Sequence, residues 1–166
     1  MTTSTSPESE TKKPKVSSNE TIWGKPVMRL GYAAIPSILL QAQRRLGLSN
    51  TQAMICIHLL DYWHYADRRP FPSKRELAQR MGVTDKTIQT NVREMEQAGL
   101  IKREYRKTAS GDHNSNIYHL DGLVSKVQAL EPEFTQERQI RREKRSKLQS
   151  PGGIKKDEVQ ATKTSS

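Results

Sequence analysis

The chain has too few apolar residues to form a globule over its whole length. Only 33% of its 166 residues are hydrophobic, whereas 28% are charged. A composition this polar cannot bury enough surface to order every segment, which predicts disordered tails at residues 1–21 and 150–166. Cys56 is the only cysteine, so an intramolecular disulfide is excluded. A single cysteine fits a reducing compartment.

Long apolar runs are also missing. No stretch of 18 apolar residues occurs, which excludes a membrane-spanning helix. The N-terminal residues lack the apolar core of a secretory signal, and we expect a cytoplasmic protein. Phosphate-binding loops, nucleophile elbows and His-Glu-x-x-His motifs are absent as well. We therefore predict that the protein is not an enzyme and uses no cofactor.

One set of metal-ligand residue types does occur, at His58, Asp61 and His64. On a helix, His58 and His64 would lie about 120° apart around the axis, so a three-ligand site is strained. We expect these histidines to pack against neighbours and predict no metal site.

Positive charge is what the chain has in excess, with a formal net charge of +10. Residues 71–107 contain nine Lys or Arg and five Asp or Glu, a net of +4, so the excess is not confined to the tails. This balance favours a polyanionic partner, with nucleic acid ahead of an anionic membrane. We expect double-stranded DNA as the partner and no membrane binding.

Two short helices joined by a tight turn are predicted within residues 71–98. Ser73 and Glu76 have the spacing of a capping box, which would start the first helix. Gly82 supplies the left-handed position that a sharp turn needs, and Thr84 can cap the second helix. Apolar residues then recur at spacings of four and three, which predicts one buried stripe: Ile88, Val92 and Met95.

The opposite face of the second helix carries side chains suited to DNA. Gln, Arg and Lys can bond base edges in the major groove, and Thr suits a phosphate or a thymine methyl. A polar helix held by a shorter one is typical of a helix-turn-helix. A solvated face on an ordinary helical hairpin is the alternative. The predicted recognition-helix contacts are Thr84, Lys86, Thr87, Gln89, Thr90 and Arg93.

A two-stranded antiparallel hairpin is predicted next, from Leu100–Tyr105 and Ile117–Leu120. The connecting residues 106–116 are rich in Gly, Asn, Ser and Asp, which is turn chemistry. A basic hairpin directly after a recognition helix is typical of a wing, and a solvated turn is the alternative. The predicted phosphate and wing contacts are Lys74, Arg75, Arg106, Lys107, His113 and Asn114.

The segments before the motif favour an arm and two further helices. Residues 22–32 mix aromatic and aliphatic side chains with Gly and Pro, which predicts an extended arm. Helices are predicted over residues 36–46 and 51–65. The second of these is apolar over more than half its circumference, so it should be central, with Cys56 as a buried structural thiol.

After the hairpin, a short amphipathic helix is predicted over residues 121–130. Pro132 should separate it from a basic, helix-prone tail at residues 131–149. A solvated helix is favoured for that tail over a phosphate-binding or self-associating one. The tail or the arm at 22–32 could contact a protein partner. The predicted fold is mainly α with a small β-hairpin wing, a winged helix-turn-helix domain spanning residues 22–130.

Residues 30–121 resemble bacterial winged helix-turn-helix proteins, with a helix order similar to MarR-type and GntR-type regulators. The similarity is strongest to modules of phage, plasmid and other mobile-element proteins. The residues that carry it are Phe71-Pro72-Ser73, Leu77-Ala78, Gly82, Thr87-Ile88, Gly99-Leu100-Ile101 and Asn116-Ile117-Tyr118-His119-Leu120.

The resemblance implies sequence-specific DNA binding, most simply by a transcriptional regulator acting as a homodimer, since one recognition helix covers only a half-site. An accessory protein in replication or partition of a mobile element is the first alternative. A protein-interaction module that has lost DNA binding is the second, and Lys86 and Arg93 argue against it.

Overall fold

The computed structural model describes residues 17–107 and 113–149, and the chain divides into two units between Ala33 and Ala34. The predicted disorder of residues 1–16 and 150–166 lies outside the described residues. The N-terminal unit contains helices α1 (Ser18–Trp23) and α2 (Lys25–Arg29). The extended arm predicted for residues 22–32 is therefore wrong, as is disorder at residues 17–21.

Local capping explains these two helices. The Ser17 hydroxyl accepts a hydrogen bond from the Glu20 backbone N–H at 3.2 Å, which starts α1. Gly24 separates the helices at a φ of 81°, a value that favours glycine. Pro26 lies in the first turn of α2, where its missing N–H costs nothing. These local signals outweigh the polar composition and the Gly-Pro content that favour an irregular chain.

The second unit begins with α3 (Ser37–Gln41), which is shorter than the helix predicted over residues 36–46. Past Gln41 the chain continues in turns up to Gly47. The Gln43 amide donates to the Leu48 carbonyl at 3.3 Å and to the Asn50 side chain at 2.9 Å, and these bonds hold the turn. The apolar residues predicted for this stretch still reach the core: Leu39, Ala42 and Leu46.

Helix α4 (Asn50–Asp61) is the central helix of this unit. It starts with a reciprocal capping box between Ser49 and Gln52, and it ends four residues before the predicted terminus at Tyr65. The Cys56 thiol is fully buried, and burial raises its pKa to about 12, which confirms the predicted structural thiol. Tyr62 leaves the helix as its C-cap and donates a hydrogen bond to the Glu76 carboxylate.

Helices α5 (Lys74–Met81) and α6 (Asp85–Gln97) lie where the sequence predicts them. The Ser73 hydroxyl accepts from the Glu76 N–H at 3.1 Å. Glu76 does not complete the predicted capping box, because its carboxylate bonds Tyr62 instead. Fully buried side chains from α4, α5 and α6 form the centre of the core: Ile55, Leu59, Leu77, Ile88, Val92 and Met95.

An antiparallel hairpin follows, formed by β1 (Lys102–Lys107) and β2 (His113–His119), with Lys102 opposite His119. The segment before α5 lies along β2, where the Tyr118 N–H donates to the Pro70 carbonyl at 2.9 Å. The Tyr118 ring is buried and fixes the hairpin to the core. Helices followed by this hairpin confirm the predicted winged helix-turn-helix fold.

The last element, α7 (Asp121–Gln149), is one helix of 29 residues with Pro132 inside it. The predicted break after residue 130 is therefore wrong. Leu130 and Phe134 pack against the core on either side of Pro132, and Glu133 forms two hydrogen bonds to the Arg45 guanidinium at 2.9 and 3.0 Å. These contacts offset the one backbone bond that proline removes. In the part of the chain described, no helix is long and apolar enough to cross a membrane.

Candidate nucleic-acid interface

The candidate interface is built on the turn between α5 and α6. Gly82 ends α5 at φ 64° and ψ 32°, the left-handed conformation that the sequence predicts. Thr84 then caps α6 by accepting from the Thr87 N–H at 3.1 Å. Ile88, Val92 and Met95 are at most 1% exposed, so the buried stripe is also confirmed. This stripe fixes which way the rest of α6 faces.

Four predicted contact residues share the outer side of α6, which we call the recognition face: Lys86, Gln89, Thr90 and Arg93. All four are exposed. At 100° per residue they fall within an arc of about 100°, opposite the buried stripe. Lys86 forms no ion pair with any residue that the structure describes. The face is therefore accessible to a ligand.

The two threonines at the start of α6 are hydrogen-bonded to each other. The Thr84 and Thr87 hydroxyls lie 2.9 Å apart and share a hydrogen bond. Thr87 is half-buried, and its carbonyl accepts from the Asn91 side chain at 2.9 Å. Both threonines are therefore fixed in position, whereas the four side chains of the recognition face are exposed.

Two of the three acidic residues of α6, Glu94 and Glu96, bond to other elements, whereas Asp85 in the first turn is exposed. Glu94 accepts a hydrogen bond from the Gln52 side chain of α4 at 2.8 Å. Glu96 holds Arg103 of β1 through three bonds, from the Arg103 backbone N–H at 3.0 Å and from two guanidinium nitrogens at 2.9 and 2.5 Å. These contacts join the recognition helix to both the core and the hairpin. The sequence did not predict these contacts, although the opposite charges of Glu96 and Arg103 on the two sides of the Gly99 turn were a signal.

The Glu96–Arg103 contact gives the hairpin a pH-dependent anchor. The hydrogen bond from Arg103 is the largest cause that lowers the pKa of the Glu96 carboxyl, and partial burial opposes it. A carboxyl whose folded pKa is depressed stabilises the fold above its unfolded pKa of about 4.3, and this contribution is lost as the pH falls through the folded pKa.

We therefore expect Glu96→Gln to lower the free energy of unfolding by about 1 kcal/mol at neutral pH. Below about pH 4.3 the difference from the wild type should shrink, because the carboxyl of the unfolded wild type is protonated first. The difference should be lost once the pH has fallen through the lower pKa of the folded state. Urea unfolding of both proteins across an acid pH series measures this. A difference that stays constant down to the lowest pH would contradict the assigned ion pair.

The remaining predicted contacts are only partly described. Lys74 and Arg75 are exposed in the first turn of α5. The side chains of Arg106, Lys107, His113 and Asn114 lie outside the described residues, although the strand backbones at these four positions are described. Lys102, exposed at the base of β1, is a further basic residue that the sequence analysis did not single out. The structure thus joins α5, α6 and the hairpin stem in one unit.

Of the two histidines considered for a metal site, His58 is half-buried and His64 is exposed, so the predicted packing is wrong for His64. Asp61, between them in sequence, forms an ion pair with Arg80 of α5 at 3.2 Å, and the Arg80 guanidinium stacks 4.5 Å from the Tyr62 ring centre. Among the described residues, no cluster of three His, Cys, Asp or Glu side chains could hold a metal ion.

The order of these elements, three helices with a turn and a two-stranded hairpin on one core, defines a winged-helix protein. Residues 35–139 match the family model of the DnaD N-terminal domain, and the chain belongs to that family. This assignment agrees with the prediction that the protein is not an enzyme. Among curated proteins, none matches the chain.

The solved structures that are similar to the chain include three proteins. The N-terminal domain of DnaD from Geobacillus kaustophilus is 23% identical, with 75% of this chain and 96% of that one covered and a TM-score of 0.49. The transcriptional regulator PA3341 is 24% identical, with 61% and 72% covered and a TM-score of 0.37. MepR from S. aureus, in a DNA complex, is 22% identical, with 68% and 87% covered and a TM-score of 0.39.

Proposed function

We propose that this protein binds double-stranded DNA sequence-specifically, with the N-terminal half of α6 in the major groove. The observation that carries the proposal is the exposed recognition face. It presents an amide, a hydroxyl and two cations on one side of a helix whose other side is buried. These are the side chains that bond base edges in the major groove.

Local charge supports the same orientation. Helix α6 contains three acids and two basic residues, so its total charge does not favour DNA. Two of these acids, however, bond to other elements: Glu94 to Gln52 and Glu96 to Arg103, so only the Glu96 charge is paired with a cation among these contacts. Lys74 and Arg75 of α5 extend the positive surface beside the turn and would contact phosphates. Arg106 and Lys107 would do the same from the wing.

Two cellular roles fit such a protein in the cytoplasm. A transcriptional regulator is the simpler role. The alternative is an accessory DNA-binding role in the replication or partition of a plasmid, phage or other mobile element, and membership of the DnaD N-terminal domain family is the finding that favours it. Binding as a homodimer is part of the proposal in either role, because one recognition helix reads only a short half-site.

Selection of bound sites from random duplex DNA tests the proposal. We expect enrichment of one short motif, repeated as two half-sites about one helical turn apart if the protein is a dimer. Sites that map to promoters would favour the regulator, and sites at a replication origin would favour the alternative. Recovery of random sequence with no enriched motif would overturn sequence-specific binding. Sedimentation as a monomer, both free and on DNA, would overturn the dimer.

A further inference from the structure

Helix α7 extends well past the core that it packs against. Its 29 residues span about 43 Å. Leu123 is buried, and three more apolar residues at spacings of four, three and four pack against the core: Val127, Leu130 and Phe134. From residue 135 to residue 149 every side chain is exposed. The second half of the helix therefore stabilises nothing in the core of this chain.

The same side of the helix continues as arginine. Arg138 lies four residues after Phe134. Arg141 and Arg142 lie three and four residues after Arg138, and Arg145 lies four residues after Arg141. We call these four residues the arginine stripe, and they fall within an arc of about 100°. The two lysines of this segment, Lys144 and Lys147, lie on other sides. The side of α7 that is apolar where the helix packs on the core is thus cationic where the helix extends beyond the core.

Charge is also segregated along α7. Three of its four glutamates lie at residues 131–137, whereas residues 138–147 hold six Lys or Arg and one acid, Glu143. Arg141 pairs with Glu137 at 2.5 Å. Arg138, Arg142 and Arg145 form no ion pair with any residue in the described ranges. Holding like charges together without counter-charges raises the energy of the free protein, and a polyanionic partner would remove that cost.

We propose that the arginine stripe binds the phosphate backbone of duplex DNA, independently of base sequence and separately from the recognition face. Duplex DNA carries one negative charge per about 1.7 Å of its axis, so a stripe about 10 Å long meets several phosphates at once. The guanidinium group bonds phosphate oxygens in pairs, which a lysine cannot do.

Other partners fit this surface less well. A coiled-coil partner or a membrane surface needs a continuous apolar seam. The apolar residues of this half of α7 are Ile140 and Leu148, which are 42% and 87% exposed and lie outside the stripe. They are eight residues apart with charged residues between them. A purely electrostatic partner with regularly repeated charge is the one that matches.

The test compares two double variants of the full-length protein that lose the same charge from different sides of α7. Arg138→Gln with Arg145→Gln removes two charges from the stripe, and Lys144→Gln with Lys147→Gln is the matched control. Glutamine keeps helix propensity, which circular dichroism would verify. Binding to a duplex of random sequence is measured by fluorescence anisotropy over a salt series. We expect the arginine variant to lower the slope of log K against log salt by about two. The lysine variant should lower it by less than half as much.

Equal slopes for the two double variants, or no change in either, would overturn the stripe. A second result would also overturn it: the arginine variant keeps the wild-type salt slope for DNA but loses binding to polyglutamate or to phosphatidylserine vesicles. The partner of the stripe would then be an acidic protein or a membrane. The preference for a selected site over random DNA should be unchanged in the arginine variant. That preference depends on the recognition face and not on the arginine stripe. The proposal for the stripe and the proposal of sequence-specific binding can therefore fail separately.

Discussion

Replacing Gly122 with alanine is expected to lower the free energy of unfolding by about 3 kcal/mol, the largest stability effect that we anticipate for a single added methyl group. A Cβ at this position would lie 2.1 Å from the Gly99 carbonyl oxygen and 3.1 Å from the Leu100 carbonyl oxygen. Both are backbone atoms, so no side-chain rotation can relieve the overlap. Helix α7 or the turn after α6 would have to move.

Neither segment can move without losing other contacts. The Leu123 N–H donates to the Leu100 carbonyl at 2.7 Å, next to the proposed overlap. Leu100, Leu120 and Leu123 are all buried in the core. A shift of α7 would therefore expose apolar surface and weaken this hydrogen bond together, which is why the expected effect is large.

Urea denaturation followed by circular dichroism measures the loss, and Gly47→Ala is the matched control. Gly47 has a φ of 69° with no atom within 4 Å of the added Cβ, so alanine there costs only backbone strain of about 1 kcal/mol. If Gly122→Ala cost no more than Gly47→Ala, the close approach between α7 and the turn after α6 would be wrong.

The motif could be predicted from sequence because its signals are local. Ser73 and Thr84 start their helices, and Gly82 turns the chain at a positive φ, each through contacts within a few residues. The spacing of Ile88 and Val92 then determines which side of α6 is exposed. The accessibility of the recognition face therefore follows from periodicity alone.

What the sequence did not reveal depends on contacts between residues of different elements. Pro132 by itself predicts a break in the helix. The helix continues because Phe134 packs on the core and Glu133 bonds Arg45, which lies near the start of the same unit. The anchor between Glu96 and Arg103 joins a helix to a strand across a turn. Opposite charges on the two sides of the Gly99 turn indicate that a contact is possible, but their spacing does not identify the partner, because several acids could have been the partner.

The largest functional effect is expected from Lys86→Ala combined with Arg93→Ala. If both side chains contact bases in the major groove, each substitution removes about 2 kcal/mol of binding free energy at the selected site. Together the two substitutions should lower the affinity for that site roughly 1,000-fold. Affinity for random duplex should fall far less, by about tenfold, because only phosphate attraction is reduced there. The ratio of the two dissociation constants, measured at one salt concentration by anisotropy, is the readout.

The matched control for this double variant removes two exposed positive charges elsewhere, Arg44→Ala combined with Lys126→Ala. Both double variants change the net charge by the same amount. The control therefore separates the effect of lost contacts at the recognition face from the effect of a lower overall positive charge in a protein of net charge +10. We expect the control to weaken selected and random duplex by the same small factor. A specificity ratio that falls equally in both double variants would mean that α6 does not read bases. Its exposed face would then be only part of a diffuse basic surface.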